Sequence, residues 1–293
     1  LEKRILSNYF GNIAFAYEDY GYPYCLMTTI FNTGIDCPPD YSQASIERIE
    51  EGESKLKSTQ TEELPNIIFL QLESFFDPYQ VNYLKLSQDP IPNFRRLMKE
   101  YSSGYFRVPS VGAGTANTEF ETITGMSLRY FGPGEYPYKS ILKETTCESA
   151  PFVLKKLGYR THAIHNNEAN FYGRRTIFPN LGFDTFTSEE YMEEEDDQNP
   201  LGWVRDRVLT KSILDCLESS EGSDYIYTIS VQGHGDYPDE PILEEPQITV
   251  SGSATQEQNY KWEYYVNEIH EMDIFIAELI QALEKFGEHT VLV

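Results

Sequence analysis

Short apolar runs alternate along the chain with longer stretches in which apolar residues recur every third or fourth position. Residues 66–72 (NIIFLQL) are almost wholly apolar and lead directly into Glu73. Residues 224–231 (DYIYTISV) and 290–293 (TVLV) are similar, and 159–164 form a weaker example. Runs of this kind predict strands buried on both faces of a parallel sheet. Helices are predicted between them over 91–100, 115–124, 148–157, 208–217 and 260–286. The last is the strongest, because Trp262, Val266, Ile269, Met272, Ile276 and Leu279 fall at three- and four-residue steps before Gly287. Alternating strands and helices imply an α/β fold with a doubly wound, mostly parallel sheet flanked by helices, whose ligand site lies at the carboxyl ends of the strands.

Upstream of residue 65 the pattern changes. Residues 1–40 are rich in Tyr and Phe and broken by Gly and Pro, which predicts an irregular arm with one or two short helices. Residues 41–57 read as a helix and 58–65 as a polar connection. The expected organisation is therefore an N-terminal helical arm over 1–64 and a catalytic domain over 65–293.

Composition narrows the partners. The 293 residues carry 23 Lys+Arg against 47 Asp+Glu, a net charge of −24, which argues against a nucleic-acid binder because phosphates are met with clustered bases. No apolar run approaches the roughly 20 residues needed to span a bilayer, and the first residues (LEKRILSNYF) do not form a signal peptide. Cys25, Cys37, Cys147 and Cys216 include no C-x-x-C pair, so a zinc knuckle is unsupported and either free thiols or up to two disulfides are open. Residues 189–197 (EEYMEEEDD) hold seven carboxylates and no base, and read as a solvated loop.

Four places could carry chemistry. Glu73 follows a buried strand, where a carboxylate is costly unless it meets a cation or donors; metal ligand and solvent-facing cap are the alternatives. Thr115 follows Gly112-Ala113-Gly114 at the start of a helical pattern, where free backbone N–H groups would hold a phosphate, or where capping with Glu119 could account for it. It is not a Walker A loop, since no Lys follows the glycines. The run His162 to Asn167 leads into Phe171, Tyr172, Gly173, Arg174 and Arg175, a set of donors suited to phosphate. Finally His234 stands between Gly233 and Gly235 after another apolar strand.

The ordered series LES, G-x-G-T-x-x-T-E-F, H-N followed by Y-G-R, G-H, a long amphipathic helix and TVLV resembles the extracellular catalytic domain of lipoteichoic acid synthases and related phosphoglycerol transferases, in the sulfatase and alkaline phosphatase superfamily. The resemblance covers roughly residues 65–293. It implies a membrane-anchored enzyme acting on the extracellular face of the cell membrane, with residues 1–60 as a connecting segment. By position, Thr115 would be nucleophile and metal ligand and Glu73 a second ligand of one divalent metal, Mn²⁺ with Mg²⁺ or Zn²⁺ as alternatives. His234, Arg174, Tyr172, His165 and Asn167 would bind the glycerophospholipid headgroup, and a glycerophosphate polymer or other alcohol would accept the group. Tyr172 and Asn167 stand where the synthases usually carry Trp and Asp.

The family's last two metal ligands form an Asp-His pair beyond the strand read at 290–293, and no Asp-His dipeptide occurs in this sequence. The expectation from sequence is a catalytic domain truncated at its C-terminus, binding metal weakly and without turnover. The alternatives are a phosphoethanolamine transferase, another phospho- or sulfo-ester hydrolase of the superfamily, and a non-catalytic wall-binding scaffold. A true sulfatase would need a modified Cys in C-x-P-x-R, and Cys37-Pro38-Pro39-Asp40 is followed by Tyr41.

Overall fold

The computed structural model describes residues 13–31, 37, 39–53, 64–109, 114–132, 134–193 and 197–293. In chain order its elements are α1 (Ile13–Tyr20), α2 (Tyr22–Phe31), α3 (Gln43–Glu53), β1 (Asn66–Gln71), β2 (Lys85–Leu86), α4 (Pro92–Glu100), α5 (Thr115–Thr124) and α6 (Ala150–Lys155). They continue with β3 (Arg160–His165), α7 (Arg174–Asn180), β4 (Thr185–Ser188), α8 (Leu209–Glu218), β5 (Asp224–Ile229), β6 (Val250–Ser251), α9 (Gln256–Phe286) and β7 (Thr290–Leu292). The chain divides into two compact units, residues 1–64 with 107–149, and residues 65–106 with 150–293.

In the first unit, α1 and α2 close on Ala16 and Cys25, where the Cys25 thiol donates to the Ala16 carbonyl at 3.2 Å. α5 packs Phe120 edge-on against Phe131, with centroids 5.3 Å apart. It stops at Gly125, whose left-handed backbone (φ 70°) sends its N–H back to the Glu121 carbonyl.

The second unit holds a sheet in the order β4-β3-β5-β1-β7, every pairing parallel. Along the strands, alternate side chains sort to opposite faces. Ile68, Ile164 and Ile226 join Ile213, Phe275 and Leu279 of α8 and α9 in one core. On the other face Phe69 stacks on Tyr227 at 6.2 Å and Phe183 on Tyr225 at 6.0 Å. α9 also covers a second core of Ile91, Ile248, Val266, Ile269 and Met272. Its Asp273 supplies the cap that α4 lacks locally, accepting from the Asn93 and Phe94 amides at 3.0 and 2.7 Å.

The structure corrects some expectations and decides between others. Only β5 is buried throughout; β1 alternates buried and half-buried positions, and β7, paired on one side among the described residues, leaves Val291 42% exposed. Cys25, Cys37, Cys147 and Cys216 are all free thiols. The acidic stretch is anchored at its ends: Glu190 accepts from the Ala169 amide at 3.0 Å, and Asp197 pairs with Arg207 and Arg205. The bases that match it come from outside the stretch, which its own composition could not show. Residues 194–196 lie outside the described residues, as do 54–63 and the Gly112-Ala113 pair.

Candidate active site

Because β3, β5 and β1 are parallel neighbours, the segments that leave them emerge at one edge of the sheet. Glu73 leaves β1. Its amide donates to the Ser230 hydroxyl at 2.7 Å, and the Ser230 amide donates to the Gln71 carbonyl at 3.0 Å. The next residue, Ser74, is left-handed (φ 55°), and the Tyr265 hydroxyl of α9 donates to its carbonyl at 2.7 Å. A Cβ at Gly233 would stand 2.5 Å from the Glu73 carbonyl oxygen. A glycine is therefore required where the β5 exit crosses the β1 exit.

His165 ends β3 and is buried, with Nδ1 3.0 Å from the Ile229 carbonyl. A carbonyl can only accept, so Nδ1 carries the proton and Nε2 a lone pair. That Nε2 is buried and has no hydrogen-bond partner. Burial first, then the nearby Arg174 charge and His234, hold this imidazole well below the usual histidine range, against the opposing carbonyl bond, so it is neutral at physiological pH. Asn167 lies two residues on; its Oδ1 accepts from the Glu168 amide at 2.8 Å while Nδ2 is buried without a partner.

Tyr172 and Gly173 are both left-handed (φ 55° and 75°), which folds the chain sharply before α7. Arg174 begins that helix and is only 1% exposed. Its guanidinium lies 5.5 Å from the Phe171 ring centroid and 5.4 Å from that of Tyr172. His234 completes the group. Its ring packs on Trp203 at 4.6 Å and meets Phe171 edge-on at 6.3 Å, and its Nδ1 is buried without a partner.

Of the residues singled out from sequence, the structure thus brings Arg174, His165, His234 and Tyr172 together, with Asn167 beside His165. His162 serves elsewhere, its ring held between Thr185 Oγ1 at 2.7 Å and Asp224 at 3.1 Å. Thr115 belongs to the first unit. It is the first residue of α5, half-buried, behind a left-handed Gly114 (φ 90°) that offers no side-chain cap. Glu121, further along the same helix, accepts from the Leu128 amide at 2.6 Å.

Sequence reasoning missed Trp203 and the polar residues behind the histidines. Trp203 follows Gly202 in a segment with no strand or helix periodicity, so no pattern marked it. The carboxylate of Glu73 suits a hard divalent cation. Among the described residues, however, no three His, Cys, Asp or Glu side chains gather to hold a metal ion. The described residues supply individual donors and do not by themselves form a metal centre.

A parallel five-stranded sheet with imidazoles, a guanidinium and a carboxylate at its carboxyl edge defines a mostly parallel α/β protein with its polar groups gathered where the strands end. The chain belongs to the sulfatase family, whose profile matches residues 65–293. A putative cyclic beta-1,2-glucan modification protein of Rhizobium meliloti is 27% identical over 94% of this chain and 42% of its own length. This chain therefore spans less than half of that relative. Among solved structures, the Streptococcus pyogenes phosphoglycerol transferase GacH in complex with sn-glycerol-1-phosphate superposes with a TM-score of 0.75, at 23% identity over 88% of this chain and 69% of its own. The Listeria monocytogenes lipoteichoic acid synthase LtaP gives 0.59, at 25% identity over 89% and 58%. Among the described residues, no helix is long and apolar enough to cross a membrane.

Proposed function

We propose that this domain transfers a glycerophosphate group from a phospholipid headgroup to an alcohol acceptor through a phospho-threonine on Thr115. One observation carries the reading: two buried ring nitrogens without partners, His165 Nε2 and His234 Nδ1, beside the buried Arg174. A fixed cation beside neutral imidazole suits a ligand with both a phosphoryl charge and hydroxyl groups. Arg174 binds and orients the phosphoryl oxygens, His165 Nε2 accepts from a glycerol hydroxyl, and the Tyr172 and Trp203 rings stand beside Arg174 and His234.

Thr115 Oγ attacks phosphorus and the diacylglycerol oxygen leaves with a proton. The acceptor hydroxyl then attacks the phospho-threonine, and the Thr115 oxygen leaves and regains its proton. A divalent cation, Mn²⁺ before Mg²⁺ or Zn²⁺, belongs to the proposal, with Glu73 as a carboxylate donor; when bound it would neutralise charge on the phosphoryl oxygens.

The acceptor is a glycerophosphate polymer or another alcohol. The relative named for cyclic glucan modification favours a carbohydrate hydroxyl. The likeness to LtaP supports action at the outer face of the cell membrane.

The test offers the full-length protein in membranes two lipids with fluorescent tails, one with a glycerol and one with an ethanolamine headgroup. Release of labelled diacylglycerol from the glycerol lipid, abolished by Thr115→Ala, is expected. Release from the ethanolamine lipid alone would overturn the headgroup assignment. Unchanged release by Thr115→Ala would remove the threonine step, and no release from either lipid would favour a scaffold.

A further inference from the structure

Behind the two histidines lies a buried polar network that the proposed chemistry does not use. Asp206, fully buried, sits in the turn that leads into α8. One of its carboxylate oxygens, Oδ1, accepts three hydrogen bonds: from Asn166 Nδ2 at 2.9 Å, the Val231 amide at 3.1 Å and the Gln232 amide at 3.2 Å. Asn166 is the residue after His165, and Gln232 stands two residues before His234. A single oxygen thus ties the β3 exit to the β5 exit.

The bond is returned, since the Asp206 amide donates to Gln232 Oε1 at 2.9 Å. Gln232 Nε2 in turn donates to Glu268 at 3.1 Å and Glu271 at 2.6 Å, both on α9. Asn199 extends the network to the aromatic wall. Its Nδ2 donates to Glu268 at 2.9 Å and its Oδ1 accepts from the Trp203 amide at 3.0 Å, and the Trp203 ring packs on His234. A buried carboxylate is expensive. Here it satisfies the Val231 and Gln232 amides and shares the Asn166 side-chain amide with the Val204 carbonyl, which accepts at 2.9 Å, all on the segments that carry His165 and His234.

We propose that Asp206 is a positioning residue of the glycerophosphate pocket: its carboxylate fixes the separation of His165 and His234 so that both open ring nitrogens meet one ligand. The inference rests on the functional reading above for the identity of that ligand. Removing a group that orients metal-ligating side chains typically costs roughly 10- to 100-fold in affinity or activity, and the same reasoning applies to any binding side chain held by a supporting hydrogen bond.

The test uses histidine-labelled protein, nitrogen NMR of the imidazole rings, and titration with sn-glycerol phosphate. In Asp206→Ala the His165 and His234 ring signals should move while those of His162 and His270, held by Asp224 and by the Pro90 carbonyl, stay in place. Binding should weaken on the order of tenfold. Asp206→Asn keeps an acceptor oxygen and should recover most of both. Unmoved His165 and His234 signals in a folded Asp206→Ala protein would overturn the proposal, as would Asp206→Asn being equally impaired.

If Asp206→Ala does not fold, Asn166→Ala deletes one of the three donors and must displace the same two signals by a smaller amount; stationary signals there overturn the proposal too. If wild-type protein takes no glycerol phosphate but the ring signals respond as expected, the functional reading fails and the positioning role stands.

Discussion

The exits of β1 and β5 lie side by side and are held in opposite ways. After β5, two successive amides, Val231 and Gln232, point into the buried Asp206 carboxylate, and the Gln232 side chain is fixed by two glutamates of α9. After β1, the Glu73 amide donates to Ser230 and the Tyr265 phenol donates to the Ser74 carbonyl, while Glu73 is half-buried with Ser74 Oγ 3.4 Å from its carboxylate. The first construction fixes its histidine before any ligand arrives. The second holds its turn through a neutral hydroxyl contributed by α9. The difference lies between an exit tied to a buried carboxylate and one tied to a neutral phenol.

The strongest way to break this pairing is at the crossing point. Gly233→Ala places a methyl group 2.5 Å from the Glu73 carbonyl oxygen and 3.2 Å from Met272 Sδ. The carbonyl is backbone and cannot swing aside, so the two exits must separate. Urea unfolding should show a loss of about 3 kcal/mol or more, at the upper end of overpacking penalties. A loss below about 0.5 kcal/mol, the range of ordinary surface changes, would show that the exits are not locked together.

The second prediction separates the exits by charge. Burial pushes the Asp206 carboxyl up to about 6, against the opposing bonds from Asn166, Gln232 and Val231. The folded state therefore binds more protons than the unfolded state between the ordinary aspartate value and about 6. Stability falls as pH rises through that window, is unaffected by this group below it, and carries the full cost above it. At about 1.4 kcal/mol per unit the cost is on the order of 3 kcal/mol. Glu268, also raised by burial, adds in the same direction. Unfolding measured from pH 4 to 7 should show wild type losing stability relative to Asp206→Asn. Parallel curves would mean that the β5 exit is not built on a buried charge.

The sheet of this comparison was legible in the sequence and the network was not. β5, α5 and α9 announce themselves by local periodicity, and predicted and observed bounds differ by no more than four residues. Glu73 and His234 were found because each comes within three residues of the end of an apolar run. β4, by contrast, is TFTS, a single phenylalanine among hydroxyls, and becomes a strand through its pairing with β3. α7 has only seven residues and contains Pro179, so it offers no helical period to detect. Asp206 meets Asn166 across 40 residues, and Asp273 caps α4 across 180. Contacts of that range depend on the completed fold and leave no periodic trace in the sequence.

The smallest effect tests the looser exit. Tyr265→Phe removes the hydroxyl that donates to the Ser74 carbonyl and accepts from the Phe76 amide at 2.9 Å, while keeping the ring against Trp262 and Tyr237. Two neutral hydrogen bonds at a partly buried turn are worth about 1 to 2 kcal/mol together. If the β1 exit depends on this phenol, the loss should be local. Hydrogen exchange at the Phe76 amide should accelerate, while the Val231 and Gln232 amides, bound to Asp206, keep their protection. Faster exchange at all three amides would show that one network holds both exits, and the contrast between a carboxylate-held and a phenol-held strand end would then fail.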